Sequence, residues 1–227
     1  MTHTPRRSPL LLPAAPPLAV PADLGARLTA LGVALDEPAV AKLASFLALL
    51  LAMNEQMNLT AITTPEAAWS RHALDALSLV PHLAALPAGA RVLDVGSGGG
   101  VPGLPIAIAR PDLQVTLLDA TEKKIAFLSA AAAALGLANV KTVCGRAEAI
   151  DDGPRFDAVT ARAVAKIATL LAWTAPFCKP GGRLLFIKGE RAESELNEAK
   201  NELRRFRCTH EQTTLTPTGR VVVLRVG

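Results

Sequence analysis

The sequence predicts an α/β fold, a mostly parallel sheet behind a small helical segment. Three observations carry this. From Arg91 onward, short runs rich in Val, Leu and Ile alternate with helical stretches, the mark of strands covered on both faces. The first run opens into a glycine-dense loop, "RVLDVGSGGGVPG" (91–103), of the kind that turns a strand into a helix beside a ligand. Upstream of it the apolar residues recur at helical spacing instead.

The elements follow in order. Residues 1–22 carry prolines at 5, 9, 13, 16, 17 and 21. These prevent a continuous helical h-region, so the stretch is expected to be a disordered tail and not a signal peptide. Residues 23–88 form the helical segment. Leu24, Leu28 and Leu31 share one face, Val40, Leu43, Phe46, Leu47 and Leu50 another, with Gly32 and Pro38 as punctuation. "NEQMNLTAIT" (54–63) is a polar break, and a third helix is expected over Pro65–Val80, with Thr64 as N-cap and Pro65 at the first turn.

Residues 89–227 hold the sheet. Its strands are "RVLDV" (91–95), "QVTLLD" (114–119), "VKTVC" (140–144), "FDAVTAR" (156–162) and "RLLFIKG" (183–189). Helices are expected over Gly103–Ala109, Thr121–Leu135, Ile167–Phe177 and Glu190–Arg205. "KPGG" (179–182) reads as a turn, and "THEQTTL" with "VVVLRV" as a closing hairpin.

The net charge is +4 over 227 residues, a mild basicity compatible with a nucleic-acid partner. Cys144, Cys178 and Cys208 are scattered and odd in number. They predict neither a disulfide framework nor a zinc knuckle, and fit a reducing cytoplasm without a bound metal. The longest apolar stretch, Val40–Met53, is too short to cross a bilayer and reads as core, so no membrane partner is expected; separately, the chain is expected to act as a monomer.

Gly98, Gly100 and Gly103 satisfy G-x-G-x-x-G, whose first reading is a nicotinamide-dependent oxidoreductase. Two acids shift it. Asp94, two residues before Gly96, would repel a pyrophosphate but suits the amino group of a methionine moiety. Asp119 ends the second strand, where a carboxylate accepts from both ribose hydroxyls. Together they favour S-adenosylmethionine. Ala147 and Glu148, after the third strand, stand where an adenine would lie.

Further segments are more specific: "NLTAIT" (58–63), "RHALDALSL" (71–79), "LDVGSGGGVPGLPIAIARP" (93–111), "LLDATEKKIAFL" (117–128), "FDAVTARAVA" (156–165) and "LLFIKGE" (184–190). They resemble the bacterial 16S rRNA guanine-N7 methyltransferases, also called glucose-inhibited division protein B, from about Met57 to Gly189. Ala76 stands where that family often has Ser.

The resemblance implies a Rossmann-like class I methyltransferase domain with a seven-stranded sheet. It implies S-adenosylmethionine as methyl donor, and 16S rRNA or the small ribosomal subunit as partner, the target being a guanine near the decoding centre. By motif position Gly96 and Val101 lie along the donor's methionine end, with Gly98 in the same loop. Asp119, Ala120 and Thr121 lie at ribose and adenine, Ala147 and Glu148 at the adenine. Arg162 faces the open donor site as the candidate catalytic residue.

Guanine N7 carries a free lone pair and can attack the methyl without first losing a proton. Positioning therefore suffices and no general base is required. Asn58, Arg71, His72, Lys123, Lys124 and Lys188 are the candidate RNA contacts. For Asn58, His72 and Asp75 a clamp between helical segment and sheet is the competing role. A non-catalytic RNA-binding assembly factor on the same fold is the alternative function.

Overall fold

The computed structural model describes residues 10–147, 155–162 and 165–227. Seven strands form one sheet in the order β3-β2-β1-β4-β5-β7-β6. They are β1 (Arg91–Val95), β2 (Gln114–Asp119), β3 (Val140–Cys144), β4 (Phe156–Arg162), β5 (Cys178–Lys188), β6 (Cys208–Leu215) and β7 (Arg220–Val226). β1 to β5 pair in parallel, whereas β7 runs antiparallel to both β5 and β6.

Strand alternation divides the core in two. Val92, Val115 and Leu117 face one cluster, Leu93, Val95 and Leu118 the other, as period-2 side chains must. Helices α2 (Glu37–Met57), α5 (Gly103–Ala109) and α6 (Glu122–Ala134) pack together over the first face. Helices α7 (Ile167–Thr174), α8 (Ala192–Glu198) and α9 (Lys200–Arg205) cover the second. The helical segment shares the first cluster with the sheet: Leu43, Phe46 and Leu47 are fully buried together with Leu104, Val221 and Val223.

The helix starts follow local chemistry. Asp36 Oδ1 accepts the Ala39 N–H at 2.8 Å to cap α2, and Thr64 caps α3 (Pro65–Ala68), which has Pro65 in its first turn. Helix α1 (Leu24–Ala30) turns out through Gly32 at φ +69°.

Several expectations are corrected. The tail expected to be disordered is described from residue 10. It has no regular secondary structure through residue 21, but Leu10, Leu12 and Leu18 pack on the core. The Leu18 N–H donates to Ala44 O, and Trp69 Nε1 donates to Ala19 O at 3.0 Å. Prolines rule out helix there, not burial. The third helix is not uniform. After α3 it widens into a π segment, Trp69–Leu74, then returns as α4 (Asp75–Leu77) and ends in a 3₁₀ turn, Val80–Leu83. The helix expected over Glu190–Arg205 breaks at Ala199, fully buried between α8 and α9. "KPGG" lies inside β5, where Gly182 leaves no space for a side chain beside the Cys178 Sγ and Asp157 O.

α2 is, by length and composition, long and apolar enough to cross a membrane, which the sequence reading did not expect. Here Leu43, Phe46, Leu47, Leu50 and Met53 form its buried stripe. Cys178 and Cys208 are buried and Cys144 exposed. Burial pushes the Cys178 thiol up to about 12.

Candidate active site

The chain leaves β1 through the glycine loop and enters α5. β1 lies between β2 and β4, and at such a reversal of strand order a crevice opens beyond the carboxyl ends. Gly98 takes φ +54°, and its N–H donates to Asp119 Oδ2 at 2.9 Å. Asp119 Oδ1 accepts the Thr121 N–H at 2.9 Å. One carboxylate thus braces the loop and the entry to α6. At Gly103 a Cβ would lie 2.9 Å from Asp94 Oδ2 and closer still to Leu117, so only glycine lets α5 settle this near β1 and β2.

The expected donor contact at Asp94 is corrected. Its side chain is 0 % exposed and lies beneath the loop. Thr160 Oγ1 donates to its Oδ1 at 2.9 Å and the Gly103 N–H to its Oδ2 at 3.2 Å. Burial raises its pKa to about 6, against the pull of these donors and of Arg162.

Three cavities run along this edge. The first, about 210 Å³, lies between Gly96, Asp119, Ala120, Ala147 and Trp173. The second, about 290 Å³, runs from Gly96, Gly98 and Val101 to Thr60, Arg71 and Arg162. The third, about 480 Å³, lies beyond Arg71 and Arg162, between Asp75, Lys188, Arg191 and Thr218. Gly96 is common to the first two, and Arg71 and Arg162 to the last two.

The wall facing the loop comes from the helical segment. Arg162 leaves β4 and donates through Nη1 to Arg71 O at 2.5 Å and through Nη2 to His72 Nδ1 at 3.2 Å. A guanidinium only donates, so Nδ1 accepts and the His72 proton sits on Nε2. That Nε2–H donates to Thr60 Oγ1 at 2.9 Å. Burial first, then Arg162 and Arg71, lower the His72 pKa to about 4. The π segment carries both Arg71 O and His72 to the same guanidinium, a use of π geometry common at functional sites.

The candidate RNA contacts separate. Arg71 is exposed and lines two cavities. His72, 3 % exposed, bonds within the protein and does not present itself as a free contact. Asp75 is a clamp: its Oδ1 accepts the Thr218 N–H at 3.0 Å, and Thr218 Oγ1 donates to its Oδ2. Lys188 pairs with Glu195 at 2.8 Å while donating to Ala165 O at 2.7 Å. That largely buried pair ties α8 to β5, so Lys188, expected as an RNA contact, reaches the third cavity with its charge already partnered.

Asn58 ends α2 at φ +50° and lines a separate groove beside Ala15, Pro16 and Leu18, away from the glycine loop. Lys123 and Lys124 lie in the first turn of α6 and line none of the three cavities. Ala120 is exposed and lines the first cavity, and Thr121, the next residue, is exposed but lines none of the three. Glu148 lies outside the described residues.

Several cavity residues were not expected from the sequence, Trp173 and Thr60 among them. Trp173 lies on α7, where an aromatic residue reads as core. Thr60 is one hydroxyl in a polar break, and its neighbours in space, His72 and Arg162, are distant in sequence.

The family model for rRNA small subunit methyltransferase G (GidB) matches residues 39–220. A protein of Sorangium cellulosum named "Ribosomal RNA small subunit methyltransferase G" is 54 % identical over 222 residues, covering 96 % of this chain and 93 % of its own. A protein of the same name from Neisseria meningitidis is 43 % identical over 180 residues, covering 79 % and 85 %. Among solved structures, a SAM dependent methyltransferase from Aquifex aeolicus superposes with a TM-score of 0.58 at 18 % identity, over 75 % of this chain and 97 % of that one. The last comparison speaks to the fold.

Proposed function

Since the chain belongs to the rRNA small subunit methyltransferase G (GidB) family, we propose that it transfers a methyl group from S-adenosylmethionine to N7 of a guanine in 16S rRNA. One observation carries the reading: three adjoining cavities along the carboxyl edge, the first two sharing Gly96 and the last two sharing Arg71 and Arg162.

The residues present fit the donor. In the first cavity Asp119 offers the ribose hydroxyls its remaining lone pairs, while Ala147 and the Trp173 ring give the adenine apolar walls. Ala120 completes the lining, with Thr121 next to it in the chain. Gly96, Gly98 and Val101 form the glycine-loop side of a passage for the sulfonium and the amino-acid end. The bound donor supplies a sulfonium methyl activated for direct displacement.

The chain's own part is alignment. Arg162 stands between donor and acceptor cavities with two of its five N–H groups engaged, leaving others for the guanine O6 or a phosphate. Arg71 adds an exposed cation beside it. Because N7 attack releases no proton, the site needs no base. In keeping with this, His72, Asp75 and Glu195 are all engaged in bonds within the protein. Catalysis rests on bringing N7 in line with the methyl group at near-attack distance.

The test is transfer of labelled methyl into undermethylated rRNA, naked and in small subunits, followed by mapping of the modified base. Label at a guanine N7 is the expected result. Arg162→Ala should lower transfer about a hundredfold, well beyond any loss of donor affinity measured by titration of the same variant. Binding of donor without uptake of label would favour an assembly factor, and binding of NADH without S-adenosylhomocysteine a nicotinamide enzyme.

A further inference from the structure

The hydroxyl of Thr60 has a direction that its neighbours dictate. Arg162 donates to His72 Nδ1, so the imidazole proton sits on Nε2 and points at Thr60 Oγ1, 2.9 Å away. The Ile62 N–H donates to the same oxygen at 3.0 Å. Both lone pairs of the hydroxyl are then occupied, and only its proton is left to offer. Asn54 Oδ1 holds the residue in place by accepting the Thr60 N–H at 2.8 Å.

Thr60 lines the second cavity, opposite Gly96 and Gly98. The charge of that cavity is one-sided. Arg71 and Arg162 line it, and no carboxylate does among the described residues. Asp94, the nearest acid to the loop in sequence, is sealed below. A cavity with two guanidinium groups and an outward hydroxyl proton selects an anion, and a small carboxylate matches it by charge and by hydrogen bonding.

The geometry points to Thr60 as a donor-binding residue, giving its hydroxyl hydrogen bond to the α-carboxylate of S-adenosylmethionine. The inference rests on the reading that the methionine end enters this cavity. His72 is then a positioning residue: by filling one lone pair of Thr60 it keeps the proton aimed at the ligand. The same arginine that faces the acceptor thereby sets the seat of the donor.

Calorimetry with S-adenosylmethionine and with its decarboxylated analogue, which keeps the ammonium and lacks the carboxylate, tests this. Thr60→Val should weaken S-adenosylmethionine about tenfold or more, the worth of one hydrogen bond to a charged group, and leave the analogue within twofold. Thr60→Ser, which keeps the hydroxyl, should bind both within threefold of the unsubstituted protein. Equal weakening of both ligands by Thr60→Val would mean a damaged cavity wall and overturn the assignment. So would unchanged affinity for both, or a loss confined to small-subunit binding, which would assign the hydroxyl to an RNA phosphate. If the unsubstituted protein binds neither ligand, the methyl-donor reading itself falls. If it binds both and only the valine effect is missing, the Thr60 assignment alone falls.

Discussion

Asp94 and His72 stand on opposite walls of one cleft, and each is an ionisable side chain almost wholly removed from water. Asp94 lies under the glycine loop, where burial raises its pKa to about 6. His72 lies in the helical segment, where burial and two arginines lower its pKa to about 4. In both, burial favours the neutral form, yet the consequences for stability are opposite. Between pH 6 and 3.8, the ordinary value of an aspartate, the folded chain binds the Asp94 proton more tightly than the unfolded chain, so acidification stabilises the fold. From pH 6.5 to about 4 the unfolded chain takes up the His72 proton and the folded chain resists it, so acidification destabilises. One wall offsets the other.

The largest effect comes from removing one member of this pair. Each window spans more than two pKa units, which is about 3 kcal/mol at full extent. His72→Gln should therefore gain stability relative to the unsubstituted protein as pH falls from 7 to 4, and Asp94→Asn should lose it, read from urea midpoints along the pH series. Parallel pH profiles for all three proteins would break the contrast.

Next in size is the difference between the two strand-end acids. Asp119→Ala loses the acceptor for the Gly98 and Thr121 N–H groups and should weaken S-adenosylhomocysteine about a hundredfold, two bonds to a charged group being at stake. Asp94→Asn should stay within threefold in the same titration, since its carboxylate reaches no cavity. Gly103→Ala follows. Its methyl would press on Leu117 and Asp94, at a cost of about 2 kcal/mol as an overpacked contact, measurable in the melting temperature. Smallest is Lys123→Ala, outside the cavities. It should leave donor affinity unchanged and reduce the salt dependence of rRNA binding by about one unit of slope.

The strands were legible because Val, Leu and Ile crowd into runs of five to seven residues, and the glycine loop because its spacing is rarely built for anything but a strand-to-helix turn. Asp119 was legible as an acid at a strand end. Asp94 was legible as an acid but not in its burial, since nothing local says that α5 closes over it. The clamp from Asp75 to Thr218 joins residues 143 apart, a separation no periodicity can bridge. The tail was misread because proline forbids helix without forbidding contact: Leu18 and Ala19 dock through their own backbone on α2 and Trp69. The break at Ala199 has no glycine or proline to announce it.

The clamp between Asp75 and the turn joining β6 to β7 has a meaning for synthesis. In synthesis the helical segment emerges well before the β6–β7 hairpin. Leu43, Phe46 and their neighbours share a core with Val221 and Val223, so the apolar face of the segment stays partly uncovered until the hairpin has emerged. A chain cut short before the hairpin would keep part of that face open to water, and with it a surface prone to aggregation.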